Sequence, residues 1–209
     1  MEQKSQKNIL VTGGCGYIGS HTVRQLSELD YNVIVLDNLS TGFADALING
    51  EKLIEGSTGD AKLVESIIKE YDITSIIHFA ASIVVPESVE KPLDYYENNV
   101  INAFNLVQKA ALCGVKNFVF SSTASVYGED VAGPVAEDST IAPTNPYAAS
   151  KAMVERMILD TCSVSKLNAT VLRYFNVAGA DTKQRMGQRT PKATHLIKVA
   201  CETAVGKRS

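Results

Sequence analysis

Three short runs in this chain, Ile9–Thr12 (ILVT), Val33–Leu36 (VIVL) and Phe118–Ser121 (FVFS), place apolar residues at consecutive positions instead of alternating them with polar ones. A strand of that kind is covered on both faces, as in a parallel sheet clothed by helices. Strands are expected at Asn8–Thr12, Asn32–Asp37, Lys52–Glu55, Ser75–Phe79, Asn117–Ser121 and Ala169–Phe175. Helical spacing fills the intervals at Tyr17–Leu29, Ala61–Glu70, Pro92–Cys113 and Tyr147–Cys162, with a last helix near Pro191–Val205. The most legible helix has Pro92 at its start, Gly114 just past its end, and Leu93, Tyr96, Val100, Phe104, Val107 and Ala111 at three-and-four spacing. Regular βαβ alternation predicts an α/β fold with a doubly wound parallel sheet.

The first strand runs directly into Gly13-Gly14-Cys15-Gly16-Tyr17-Ile18-Gly19 and then a helix. Glycines 14, 16 and 19 satisfy GxGxxG, and 13, 16 and 19 a wider GxxGxxG. The first glycines permit a tight turn, Gly16 lets the backbone approach a pyrophosphate, and Gly19 lets the helix pack closely. Amides at the helix N-terminus favour negative charge. The second strand ends in Asp37, roughly 20 residues on, where a carboxylate binds adenosine ribose hydroxyls and repels a 2′-phosphate. The reading is a Rossmann dinucleotide site that favours NAD over NADP. A glycine-rich turn with a helix-capping Asp is the purely structural alternative, and the strand–loop–helix context weighs against it.

Composition narrows the remaining classes. The 209 residues are 45% hydrophobic and 21% charged, average for a globular protein and unlike a disordered one. Lys and Arg number 20 against 23 Asp and Glu, a net charge of -3, with no basic tract to serve as a nucleic-acid footprint. The longest apolar stretch, Ser75–Val85, is broken by His78 and Ser82 and falls far short of a membrane span. Met1–Asn8 is polar and lacks a signal-peptide hydrophobic region, so a cytoplasmic protein is expected. Cys15, Cys113, Cys162 and Cys201 are scattered without CxxC spacing, which suggests no metal site and no disulfide framework. Each is expected to be a small buried hydrophobe.

Tyr147 and Lys151 lie four apart on one face of a helix, a face that Val154 and Ile158 continue inward. A lysine on an inward stripe needs a partner or a task. One task is to make Tyr147 a base. A phenol with a pKa near ~10 must fall by roughly three units to ionise at neutral pH, on the order of 4 kcal/mol, and a nearby ammonium supplies much of that where water is excluded. A core tyrosine beside a snorkelling lysine is the structural alternative. Thr123 follows the end of a central strand, where open α/β sheets place ligands, and its hydroxyl can share a proton with Tyr147. The local sequence reads equally well as a strand-end threonine bonded to backbone. His78 reads as a satisfied core histidine, His21 has no evident partner, and Glu65, Lys69 and Glu70 read as a solvated helix face. Gly128–Pro146 is a long Gly/Pro-rich loop, of the kind that covers active sites.

Together, the segments VTGGCGYIGSHT, VIVLDNLSTG, IIHFAA, PESVEKPLDYYENNV, FVFSSTASVYG, NPYAASK and LRYFNVAGA resemble the extended short-chain dehydrogenase/reductase family, and within it most closely the UDP-glucose 4-epimerases. They span Asn8 to Val177 in the family's order. Ala124 and Ser125 stand where the related nucleotide-sugar dehydratases carry an Asp-Glu pair. The resemblance implies NAD-dependent C4 epimerisation of a UDP-hexose, with Tyr147 as base, Thr123 steadying the hydroxyl and Lys151 lowering the Tyr147 pKa. It implies that Gly13, Gly16, Tyr17, Ile18 and Gly19 hold the NAD pyrophosphate, and that Asp37 and Asn38 take the adenosine ribose, with Ser40, Thr41 and Gly42 nearby. Phe79, Ala80 and Ala81 would line the cofactor with Asn98 and Ser121 behind it, and Tyr174 would lie near the nicotinamide. Phe175, Asn176, His195 and Leu196 match positions that contact the UDP-sugar.

The chain departs from the family pattern in three places. Ile83 occupies the position of a lysine that reaches the cofactor phosphates in many epimerases. The adenine-side Asp aligns to Ser57, with Asp60 as its replacement if the loop shifts. Family members also continue well beyond this length, so residues 1–177 are expected to form the NAD-binding domain and 178–209 the beginning of a substrate domain. A homodimer is implied, paired through Pro92–Cys113 and Tyr147–Cys162 in a four-helix bundle. Two other readings stay open: another nucleotide-sugar epimerase or decarboxylase, and a non-catalytic NAD-binding fragment.

Overall fold

A computed structural model of the chain describes residues 7–129, 133–190 and 195–208. Six strands, β1 (Asn8–Thr12), β2 (Asn32–Asp37), β3 (Lys52–Glu55), β4 (Ser75–His78), β5 (Asn117–Ser121) and β6 (Asn168–Leu172), form one sheet in the order β3-β2-β1-β4-β5-β6. Every neighbouring pair is parallel. This is the doubly wound arrangement expected from the apolar strands, and its order reverses between β1 and β4. A crevice for ligands opens there, at the carboxyl ends of the strands.

Helices α1 (Tyr17–Glu28), α2 (Ala61–Glu70), α3 (Val85–Glu90), α4 (Pro92–Tyr95), α5 (Asn102–Leu112), α6 (Pro146–Val164) and α7 (Leu196–Ala204) surround the sheet. One core gathers Leu10, Ile34, Ile76, Phe118 and Phe120 of the strands against Val64, Ile67, Leu106, Val154 and Ile158 of α2, α5 and α6. A second joins Val11, Val33 and Val35 to Val23 of α1 and to Cys15. The sheet is therefore covered on both faces, which is why its strands carry consecutive apolar residues. No described helix is long and apolar enough to cross a membrane.

Several boundaries differ from expectation. The helix read at Pro92–Cys113 is α4 and α5 joined by a π-helical turn at Tyr96–Ile101. Strand β6 ends at Leu172 rather than Phe175, because Arg173 turns aside to pair with Glu155. Strand β4 ends at His78, although Phe79 still donates its N–H to the Thr12 carbonyl. Helix α1 stops one residue early at Glu28, and α6 is longer at both ends than Tyr147–Cys162, starting behind an Asn145 cap. Helix α3 went unread because its six residues are too few to show periodicity. The last helix is observed at Leu196–Ala204, and residues 191–194 of its expected span lie outside the described residues.

Cys15 is buried as expected, Cys113 and Cys162 are half-buried, and Cys201 is exposed, contrary to expectation. Glu65 does more than face solvent: it accepts from Lys69 and also from Lys109 at 2.5 Å, tying α2 to α5. These charges hold the Glu65 carboxyl at about 2.

Candidate active site

The glycine loop is shaped by crowding. Gly13 has φ +70°, and a Cβ there would lie 2.6 Å from the Ala80 nitrogen, so this residue sets how closely the β1 loop crosses the β4 loop. A Cβ on Gly19 would fall 2.1 Å from the Gly13 carbonyl oxygen, so α1 seats directly on the loop that precedes it. Gly16 is the N-cap of α1, and no side chain caps that end and no acid lies in its first turn. A Cβ on Gly16 would meet only the Gly13 oxygen, at 3.3 Å. The free amides of Tyr17, Ile18 and Gly19 beside an uncrowded Gly16 make a cradle that suits a pyrophosphate.

Asp37 is buried at the end of β2, where its carboxylate accepts from the Cys15 N–H at 2.9 Å and the Leu39 N–H at 2.8 Å. Each oxygen thus uses one backbone donor, and lone pairs remain to receive ribose hydroxyls. Asn38 accepts from the Ser40 N–H, Thr41 borders a small cavity with Gly16 and Tyr17, and Gly42 packs its backbone on Cys15. Asp60 is committed to capping α2, accepting from the Lys62 and Leu63 N–H groups, while Ser57 accepts from the Gly59 N–H. Tyr17 reaches forward to donate to the Gly179 carbonyl at 2.6 Å. His21 meets Tyr17 edge-on, which supplies the contact its sequence position did not reveal.

Across the crevice, Phe79, Ala80 and Ala81 follow β4 and are half-buried. The π turn braces this loop. Asn98 donates to the Ser82 hydroxyl, and Asn99 both accepts from the Ser82 N–H at 2.8 Å and donates to the Ser82 carbonyl at 2.9 Å. Asn99 also donates to Ser150 of α6 at 3.0 Å. Its importance was not visible in the sequence, because a polar residue on the buried face with Tyr95, Ala103, Leu106 and Ala110 shows its role only once Ser82 and Ser150 are placed opposite it. Ile83 is exposed and brings no charge to this loop.

Thr123, Tyr147 and Lys151 converge at the end of β5. Thr123 is buried and caps the short turn Ala124–Tyr127, accepting from the Ser125 N–H and donating to the Ser125 hydroxyl at 3.2 Å, and its side chain lies close enough to Tyr147 to act on the phenol's pKa. Of the two alternatives for this threonine, the backbone-bonded one is observed directly. Lys151 is buried, donates to the Ser121 carbonyl at 2.9 Å and lies 5.0 Å from the centre of the Phe120 ring. Burial brings its pKa down to about 7. Burial also pushes the Tyr147 phenol above its ordinary value, with Thr123 opposing. The expected depression of Tyr147 by Lys151 is thus absent in the free chain, because the ammonium is turned to a backbone carbonyl and is itself desolvated. Tyr174 bonds its hydroxyl to Ser121. His78 is the satisfied core residue expected: Nδ1 bonds Thr12 at 2.6 Å, and burial lowers its pKa to about 3.

Phe175, Asn176 and Leu196 are exposed, and half-buried His195 bonds Gln188. Among the described residues, no recorded hydrogen bond links these four to Thr123, Tyr147 or Lys151. Two further residues escaped sequence reading, buried Glu155 and half-buried Arg173, which form an ion pair behind Thr123. Glu155 extends the Tyr147–Lys151 stripe by one turn, and that spacing was the available signal. No cluster of three or more metal-ligating side chains occurs among the described residues.

The sequence profile described as the NAD dependent epimerase/dehydratase family matches residues 9–206. The chain belongs to this family. Among its relatives, a UDP-glucose 4-epimerase of Azospirillum brasilense is 48% identical over 200 residues, covering 96% of this chain and 58% of that protein. A crystal structure of UDP-glucose 4-epimerase from Brucella ovis in complex with NAD superposes with a TM-score of 0.92 at 38% identity, covering 96% of this chain and 62% of the other. The UDP-Glc/GlcNAc 4-epimerase of Campylobacter jejuni gives 0.84 at 46% identity, covering 97% and 63%. The chain therefore spans less than two thirds of the length of these relatives.

Proposed function

We propose that this chain binds NAD across the β1–β4 crevice and carries the catalytic face of a UDP-hexose C4 epimerase acting on UDP-glucose and UDP-galactose. The observation that carries the reading is the convergence of buried Thr123, Tyr147 and buried Lys151, one turn beyond Tyr147, at the carboxyl end of β5 beside the glycine cradle. The family's NAD dependence and the NAD complex of the Brucella ovis relative support the cofactor. Gly13, Gly16, Tyr17, Ile18 and Gly19 would hold the pyrophosphate, Asp37 and Asn38 the adenosine ribose, and Tyr147, Lys151 and Tyr174 the nicotinamide side. Residues 1–177 are the NAD-binding domain in this reading, and 178–209 begin the substrate-binding part. Exposed Ile101 at the end of the π turn, Phe104 and Leu112 on α5, and Met153 and Leu159 on α6 support homodimer pairing through those helices.

When bound, the nicotinamide supplies a reversible hydride acceptor. The chain's own residues handle the proton. Tyr147 accepts it from the C4 hydroxyl as that carbon is oxidised, and returns it after the sugar presents its other face. Thr123 holds the hydroxyl and passes the hydrogen bond to Tyr147. Lys151, once charged, stabilises the phenolate that Tyr147 must become.

Purified chain should convert UDP-galactose to UDP-glucose with added NAD, and Tyr147→Phe should lower that turnover by about 10²-fold or more while leaving NAD binding intact. NAD binding without turnover in the parent chain would favour the cofactor-binding fragment. Turnover that survives Tyr147→Phe would overturn the assignment of the base.

A further inference from the structure

Thr123 is gripped from both sides by one ion pair, between buried Glu155 and half-buried Arg173. Glu155 projects from α6 one turn beyond Lys151 and is almost fully buried. Ser122, the residue before Thr123, donates its hydroxyl to the Glu155 carboxylate. Arg173 sets its fork on the same carboxylate, with Nε at 3.0 Å and Nη2 at 2.6 Å from Oε2. Its remaining arm, Nη1, donates to the Tyr127 hydroxyl at 2.7 Å and the Glu137 carbonyl at 2.9 Å, and the guanidinium lies 5.0 Å from the centre of the Tyr127 ring. Tyr127 closes the short turn that Thr123 opens. The pair thus fixes the residue before Thr123 and the far end of the turn after it, and ties both to the helix that carries Tyr147.

We propose that Glu155 and Arg173 are positioning residues that hold Thr123 against Tyr147. A buried ion pair is weak evidence for stability, because desolvation offsets most of its attraction. A planar fork with fixed directions nevertheless does what an apolar contact cannot: it orients three separate segments at once. Those segments are α6 through Glu155, the Thr123 turn through Ser122 and Tyr127, and the long loop through Glu137. Tyr174, next along the chain, adds a fourth tie by bonding Ser121. The inference rests on the proposed roles of Thr123 and Tyr147, but its geometry is a property of the ligand-free chain.

The test uses the 209-residue chain labelled at the tyrosine ring carbon that bears the hydroxyl. At pH 7 without ligand, the Tyr147 resonance is assigned by Tyr147→Phe, and Thr123→Val gives its position when the Thr123 hydroxyl is removed. Arg173→Lys keeps the charge and removes the fork, and Glu155→Gln keeps an acceptor for Ser122 and removes the ionic partner. Both should move the Tyr147 resonance toward the Thr123→Val position. Lys109→Met, which breaks the α2–α5 pair instead, should leave it unmoved. A resonance that stays at the parent position in Arg173→Lys while the Tm falls would overturn the proposal, leaving the pair a structural brace. If Glu155→Gln does not fold, the lysine variant decides alone. In NAD-loaded, turning-over protein, Arg173→Lys should cut kcat about ten-fold with the sugar KM within about two-fold. Absence of turnover in the parent would count against the epimerase reading alone, since the resonance is read without substrate.

Discussion

Lys151 should weaken the free chain at neutral pH, and replacing it should stabilise the fold. The side chain is 3% exposed, and burial brings its pKa from 10.5 to about 7. The unfolded chain therefore binds a proton that the folded chain gives up between these values. Stability rises with pH across that window, and the penalty is complete only below it. At pH 7 the difference amounts to about 4 kcal/mol. Lys151→Met removes the penalty and fills the space with an adaptable apolar side chain. It also strips the Ser121 carbonyl of its donor, a loss of about 1–2 kcal/mol.

The variant should thus be more stable than the parent by about 2–3 kcal/mol at pH 7, and less stable by about 1–2 kcal/mol above pH 10.5. Urea unfolding of both proteins across this range, without nucleotide, reads the crossing directly. Other groups that titrate at high pH act on both proteins and largely cancel in the difference. A variant that is less stable by the same margin at both ends would refute the argument, since the ammonium would then carry no desolvation penalty. The catalytic reading adds that the stabilised variant should be inactive, a trade of stability against function.

Gly13→Ala places a Cβ 2.6 Å from the Ala80 nitrogen at φ +70°. It should lower stability by about 2–4 kcal/mol and weaken NAD binding, measured by thermal unfolding and calorimetric titration. His78, lowered to about 3 from 6.5, stays neutral in the fold while the unfolded chain takes up a proton. Stability should therefore fall as pH drops from 6.5 toward 3, by up to about 5 kcal/mol. His78→Gln should flatten that acid slope in urea titrations, and an unchanged slope would contradict a buried neutral imidazole.

The sheet was legible because its signal is local: consecutive apolar residues, glycines after the first strand, Asp37 at the end of the second. Tyr147 and Lys151 were legible because one helix carries both. What escaped notice depends on contacts between distant segments. Asn99 finds Ser82 and Ser150 from a loop and a helix that lie 17 and 51 positions away. Arg173 leaves the sheet only because Glu155, 18 positions earlier, lies beneath it. Cys201 and Glu65 were misread for the same reason, since neither α7's exposed face nor Lys109 can be located from spacing alone.

The electrostatics of the three central residues assign them an order of events. Burial disfavours charge on both Tyr147 and Lys151, raising the phenol and lowering the ammonium. Only Thr123 opposes the rise at Tyr147, and burial alone accounts for the fall at Lys151. In the free chain the pair is therefore biased toward its neutral forms, a phenol beside an amine. Proton abstraction needs the opposite pairing, a phenolate steadied by a positive charge. The short sequence spacing brings the two groups together but does not ionise them. Ionisation requires an added charge in the crevice, so the net proton exchange on ligand binding is the quantity to follow. Tyr147 releases a proton as it ionises while Lys151 takes one up as it charges, so nucleotide titrations in buffers of different ionisation enthalpy should show less net uptake in the parent than in Tyr147→Phe, where only Lys151 changes charge. Equal exchange in the two would mean that Tyr147 keeps its proton when the site is filled, and the base would have to be sought elsewhere.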